Sequence, residues 1–195
     1  MKPPLRIPHL GGARAVVLHR QHPTVQALTR QLQAIGLVVT QAWPDLPDAT
    51  ADFVFFDADM AHDAQFPWAP GAPPMPLIAL IGSEAPGRIE AALRIGAHAQ
   101  LLKPIGDGGA YSALLIAQAT LDAQSALRAE VADLRRRLEA RQTVVRAVTL
   151  LAVGMSEAEA YARLRRLAMD WRLTFEDAAA RVVAQGGADG RRNRG

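Results

Sequence analysis

Two stretches of this chain are apolar without a break: Phe53-Val54-Phe55-Phe56, closed by Asp57, and Leu77-Ile78-Ala79-Leu80-Ile81. A strand with one face in water alternates apolar and polar side chains. A strand apolar at every position has to be covered on both faces. Such short runs, rich in aromatic and β-branched residues and bounded by Asp, Gly and Pro, favour strand over buried helix. Strands of this kind belong to parallel sheets, and parallel strands need crossover connections. The chain is therefore expected to alternate strands with helices.

The rest of the first half meets that expectation. Arg14-Ala15-Val16-Val17-Leu18-His19 reads as a strand, and Val25, Leu28, Leu32 and Ile35 form a helical stripe stopped by Gly36. Leu37-Val38-Val39 is the next strand. Ile89, Leu93 and Ile95 suggest a short helix closed at Gly96, Gln100-Leu101-Leu102 a fifth strand, and a further helix begins near Tyr111. Residues 13–118 are thus predicted to form a doubly wound α/β domain of flavodoxin-like type with a five-stranded parallel sheet. The stretch from Ala61 to Pro76 stands apart. Pro67, Pro70, Pro73, Pro74, Pro76 and Gly71 forbid a regular helix, so this crossover is expected to be mostly extended loop.

From Tyr111 to Ala152 there is no proline. Leu127, Leu134 and Val148 fall on heptad position d, and Val131, Leu138, Val145 and Ala152 on position a. Val at a with Leu at d suits a parallel two-stranded coil. Arg141 interrupts one d position, and Thr120 and Gln124 occupy the same seam upstream. The expectation is a coiled-coil homodimer over residues 119–142, joined through Leu127, Val131, Leu134, Leu138 and Val145. The competing reading is a long helix packed on its own α/β domain.

Beyond it, Ser156-Glu157-Ala158-Glu159 is a capping box that starts a helix, with Ala160, Tyr161, Leu164, Leu167, Ala168 and Trp171 on one face. Thr174 opens another helix, with Phe175, Ala178, Ala179, Val182 and Val183 as its stripe. With the end of the long helix these predict a three-helix module over 143–185. Residues 186–195, Gly-rich and closing on Arg191-Arg192-Asn193-Arg194, are expected to be a disordered basic tail. The overall charge of +3 hides an uneven division. Residues 1–119 hold 8 basic and 9 acidic residues, whereas residues 120–195 hold 14 and 10. A polyanion partner would sit on the second part; charge alone is equally consistent with a solvated helical surface.

With Asp57 ending the third strand and Lys103-Pro104 following the fifth, the first domain resembles a response-regulator receiver domain. In that family the aspartate accepts a phosphoryl group, Mg²⁺ is held partly by an acidic pair after strand one, and a Thr or Ser after strand four responds. Here the acidic pair is replaced by His19-Arg20-Gln21-His22, and Ile81 stands at the hydroxyl position. Imidazole and guanidinium do not replace hard oxygen ligands. The expectation is a pseudo-receiver in which Asp57 and Lys103 persist as an acid–ammonium pair without phosphotransfer.

Ala147, Ser156-Glu157-Ala158-Glu159-Ala160-Tyr161, Leu164-Arg165, Ala168-Met169, Leu173 and Ala178-Ala179 resemble the ANTAR domain. That family comprises three-helix RNA-binding modules of transcription antitermination. Val148 stands where the family usually has Lys, Ala152 replaces a Met, and the stretch Ala147 to Gly154 is about two residues short. With the degenerate receiver and the coiled coil, the architecture is similar to the amidase-operon antiterminators. The resemblance implies a dimer that binds stem-loops of nascent leader mRNA under control of a cytosolic ligand-sensing partner. Arg146, Arg163, Arg165, Arg166 and Arg172 are the candidate RNA contacts, since guanidinium forks suit phosphate. Tyr161 and Trp171 are expected in the module core rather than stacked on bases.

Two rivals remain: a DNA-binding response regulator, and a signalling scaffold that has lost RNA binding. Enzyme function is not expected. There is no cysteine, hence no thiolate metal site or Cys nucleophile, and His9, His19, His22, His62 and His98 have no metal-binding spacing. No cofactor is expected. No apolar run approaches the roughly 20 residues that span a bilayer, and Met1-Lys2-Pro3-Pro4 leads into no secretory core. A cytoplasmic protein without membrane contact is the expectation.

Overall fold

The computed structural model describes residues 10–47, 51–60 and 63–192. The chain divides into two compact units, Met1–Ser125 and Ala126–Gly195. The first contains β1 (Arg14–Leu18), α1 (Pro23–Ile35), β2 (Val38–Ala42), β3 (Phe53–Asp57), β4 (Leu77–Ile81), α2 (Pro86–Ile95) and β5 (Ala99–Leu102). It also takes the start of α3 (Ala110–Leu151). The strands form one parallel sheet in the order β2-β1-β3-β4-β5, a doubly wound arrangement.

The unbroken apolar runs are divided between two cores by the pleat. Ala15, Val17, Phe53, Phe55, Ile78 and Leu80 face Val25, Leu28 and Leu32 of α1 and Ala113, Leu114 and Ala117 of α3. Val16, Leu18, Val54, Phe56, Leu77, Ala79 and Ile81 face the other way, with Ala92 and Ile95 of α2. Both faces of β3 and β4 are thereby dry, as their composition requires. The strand after Gly36 runs Val38–Ala42 rather than Leu37–Val39. Its pairing with β1 carries it through Thr40 and Gln41, and at the sheet edge polar side chains cost nothing.

The proline-rich connection holds only a short 3₁₀ turn, Asp63–Gln65. Aromatic side chains cover the sheet where no helix can. Phe66 meets Phe56 edge-on at 5.5 Å between ring centroids and stacks on Trp68 at 5.3 Å. The buried Gln65 donates its amide to Pro44 O at 2.7 Å, joining this loop to the one after β2. Gln31 of α1 ties down the start of α3, donating to Gly106 O (2.6 Å) and accepting from Ala110 N (3.1 Å).

In the second unit the last turns of α3 pack with α4 (Glu157–Trp171) and α5 (Phe175–Arg192). Ala147, Val148, Ala160, Leu164, Ala168, Ala178, Ala179 and Val182 form the core. The capping box at Ser156 and Glu159 is made in both directions. The two hydrogen bonds from Ser156, from its backbone N–H and then its hydroxyl, hold the fully exposed Glu159 carboxyl below its ordinary pKa. Val148 was assigned above to the coiled-coil seam, but it is 7% exposed and belongs to this core, and Ala152 packs against it. The backbone is helical through Arg192, so the helix covers part of the expected tail; residues 193–195 lie outside the described residues.

Candidate functional site

Asp57 closes β3 with its carboxylate 4% exposed. Lys103, just beyond the end of β5, places Nζ 2.7 Å from Asp57 Oδ1 and 2.8 Å from Asp59 Oδ2. The adjacent register of β3, β4 and β5 brings these loop ends together. Burial by itself would lower the Lys103 pKa, but hydrogen bonds and charge from Asp57 and Asp59 outweigh it and hold the ammonium above its ordinary value. His19, also buried, stands with Nε2 3.3 Å from Asp57 Oδ2 and Nδ1 2.7 Å from Arg20 O. Arg88, in the first turn of α2, donates to Asp59 O at 2.7 Å. A side chain at residue 82 would meet Asp59 Oδ2 at 2.7 Å, so Gly82 makes room for this carboxylate.

These residues do not fit Mg²⁺. Asp57 and Asp59, the hard oxygen donors, both hold the Lys103 ammonium, and the group facing the other Asp57 oxygen is an imidazole. The pairing of Asp57 with Lys103 was expected from the sequence. Asp59, His19 and Arg88 as further members were not, because no spacing rule joins three separate loops.

In the second unit Arg146, Arg163, Arg165, Arg166 and Arg172 are all exposed. Arg163 and Arg166 line a shallow groove with Glu159 and Asp170, so two carboxylates stand beside two guanidiniums. Arg165 lies one helical turn beyond Tyr161, on a different side of α4. Arg172 is the C-cap of α4 in the left-handed region (φ 54°), its N–H donating to Ala168 O and Met169 O. Trp171 is partly buried against the core with Arg181 over its ring at 4.3 Å. Tyr161, expected in the core, is 46% exposed and leans on Phe175 with ring centroids 4.9 Å apart. It borders the larger groove of this unit, which Arg136, Arg137 and Arg141 also line.

The seam positions Leu127, Val131, Leu134, Leu138 and Val145 are between 39% and 64% exposed along α3. A stripe of large apolar side chains left in water over several helical turns is an unpartnered helix face. Among the described residues no helix is long and apolar enough to cross a membrane.

A receiver-like α/β unit with a degenerate acidic pocket, followed by a basic three-helix module, defines a transcriptional regulator of the response-regulator class. The chain belongs to the AmiR family: the family described as AmiR, N-terminal, matches residues 13–118, and the ANTAR domain matches residues 132–183. It is 36% identical over 110 residues to the transcriptional regulatory protein PdtaR of Mycobacterium tuberculosis, strains CDC 1551 / Oshkosh and ATCC 25618 / H37Rv. That match covers 55% of this chain, and the chain spans about half the length (54%) of these curated relatives. Among solved structures it resembles full-length FixJ from B. japonicum, with 16% identity, 91% of this chain and 98% of that one covered, and a TM-score of 0.48. It also resembles the first receiver domain of ShkA, with 21% identity, 54% and 92% coverage, and a TM-score of 0.44.

Proposed function

We propose that this chain is a cytoplasmic, RNA-binding regulator of transcription antitermination. Its ANTAR module binds stem-loops in nascent leader mRNA, and binding stabilises an antiterminator fold against a terminator hairpin. The observation that carries this reading is the ANTAR match over residues 132–183, which falls on the half of the chain that holds the excess of arginine. Arg146, Arg163, Arg165, Arg166 and Arg172 are the proposed phosphate contacts. Two copies pair through Leu127, Val131, Leu134, Leu138 and Val145, supported by the exposure of that stripe. The receiver-like unit takes its signal from a ligand-sensing partner protein rather than from phosphate, in keeping with Asp57 and Asp59 being held by Lys103.

The DNA-binding alternative is disfavoured by α5, whose first turn presents the exposed carboxylates Glu176 and Asp177. Those groups would repel backbone phosphate where a recognition helix reads bases. The deciding experiment is an electrophoretic shift with the leader RNA upstream of the neighbouring operon against matched duplex DNA. Preference for the RNA is expected. Preference for DNA overturns the proposal, and binding to neither leaves the scaffold reading.

A further inference from the structure

The larger groove of the second unit combines two chemistries on one helical surface. It is lined by the apolar and aromatic side chains of Val144, Val145, Tyr161 and Phe175 and by Arg136, Arg137 and Arg141, with one carboxylate from Glu176; Val145 and Arg141 are also seam positions, so the groove adjoins the end of the proposed pairing face. Arg136 and Arg137 are partly committed, to Asp133 at 3.2 and 2.8 Å. Arg141 has no carboxylate within ion-pair distance among the described residues. Tyr161 is braced by Phe175 and still offers nearly half its surface to solvent. This differs from the Arg163 and Arg166 groove, where carboxylates match the guanidiniums and no aromatic side chain is present.

We infer that this groove takes one unpaired nucleotide of the RNA, its base stacked on Tyr161 and its phosphate held by the arginine rim. An aromatic face rewards any flat heterocycle, and a guanidinium fork rewards the phosphate joined to it. Neither reward is available from a paired stem, whose bases are stacked inside the helix and whose deep groove excludes side chains. The groove therefore selects a loop or bulge, while the outward arginines meet the stem. The inference rests on the RNA-binding reading and assigns it a site for the unpaired base that the candidate arginines lack. The phenol ring supplies the stacking surface and its hydroxyl does not.

The test uses the full chain and a pool of RNA hairpins with a fixed stem and a randomised loop, with the same stem as a continuous duplex for comparison. The unaltered protein should prefer the hairpins. Tyr161→Leu should lower hairpin affinity about 5- to 100-fold and reduce it to the duplex value. Tyr161→Phe should keep the preference, and Arg141→Gln should weaken hairpin binding more than duplex binding. Hairpin preference unchanged in both Tyr161→Leu and Arg141→Gln overturns the groove and leaves RNA binding intact. No binding of either RNA by the unaltered protein overturns the underlying reading as well. Sedimentation of the same variants addresses a second copy of the chain as the rival occupant. Should Tyr161→Leu dissociate a dimer while hairpin preference persists, the groove belongs to the protein interface and the inference fails. If Tyr161→Leu does not fold, the Arg141→Gln comparison decides alone.

Discussion

Lys103 is one ammonium serving two carboxylates, and this decides what the acidic pocket can do. With Asp57 buried and Asp59 part-buried, removing the cation leaves the Asp57 carboxylate without its ammonium and Asp59 with Arg88 at 3.6 Å as its remaining cation. Lys103→Met is expected to cost about 3 kcal/mol at neutral pH, the scale on which breaking a buried pair leaves charge uncompensated, measured by urea unfolding. The pH dependence follows from the raised pKa. The folded chain keeps a proton that the unfolded chain releases, so the stabilisation is complete at neutral pH. It fades as pH rises above about 10.4 and through the folded value. That alkaline loss should be absent from Lys103→Met; an equal loss in both proteins would show that the pair contributes nothing. The same geometry predicts that acetyl phosphate with Mg²⁺ leaves the intact mass unchanged. A mass gain abolished by Asp57→Asn would establish phosphotransfer. The Asp57 and Lys103 pairing was legible because Asp57 ends β3 and Lys103 follows β5, at the same end of a doubly wound sheet with only β4 between them. Arg88 was not, since its hydrogen bond to Asp59 O and its ion pair with the Asp59 carboxylate at 3.6 Å depend on how α2 enters.

At the scale of elements, α3 shows where periodicity stops being decisive. Residues 144, 147, 148, 151 and 152 pack into the module core, while 145, 148 and 152 continue the heptad. Val148 sits on both patterns, and the presence of α4 and α5, which no heptad count contains, assigns it to the core. The seam therefore ends at Val145. Leu134→Lys, near the middle of that seam, is expected to shift the chain from dimer to monomer in sedimentation velocity with its helical circular dichroism largely kept. A dimer that survives the substitution would move the interface elsewhere. Arg172 raises the converse problem, a residue chosen for its charge whose backbone closes α4. The left-handed conformation costs a non-glycine residue about 1–2 kcal/mol, and a glycine there loses about 0.5–1 kcal/mol through extra freedom in the unfolded chain. Arg172→Gly should therefore leave the melting temperature nearly unchanged or slightly raised. If its guanidinium holds phosphate, RNA affinity falls all the same, so the two measurements separate cap from contact.

For the whole molecule, the sum of +3 conceals a near-neutral receiver-like part, net −1 over residues 1–119, and a part of net +4 from residue 120 onward. The fold class could be read from the apolar runs because burial on both faces leaves few architectures open. The arrangement of the candidate arginines could not, because exposure says nothing about which side of a helix an arginine occupies or which carboxylates stand beside it. Glu159 and Asp170 beside Arg163 and Arg166 show how a charge count can mislead locally. Salt dependence measures the outcome directly, since each neutralised phosphate contributes about 0.7–0.9 to the slope of log affinity against log salt. Arg163→Ala combined with Arg166→Ala is expected to flatten that slope by about 1 to 2, the upper end requiring that neither arginine is spent on its acidic neighbours. Arg30→Ala, an exposed cation of the first unit, is expected to leave the slope unchanged. A slope that responds to Arg30 and ignores Arg163 and Arg166 would place the polyanion on the receiver-like unit, against the division of charge along the chain.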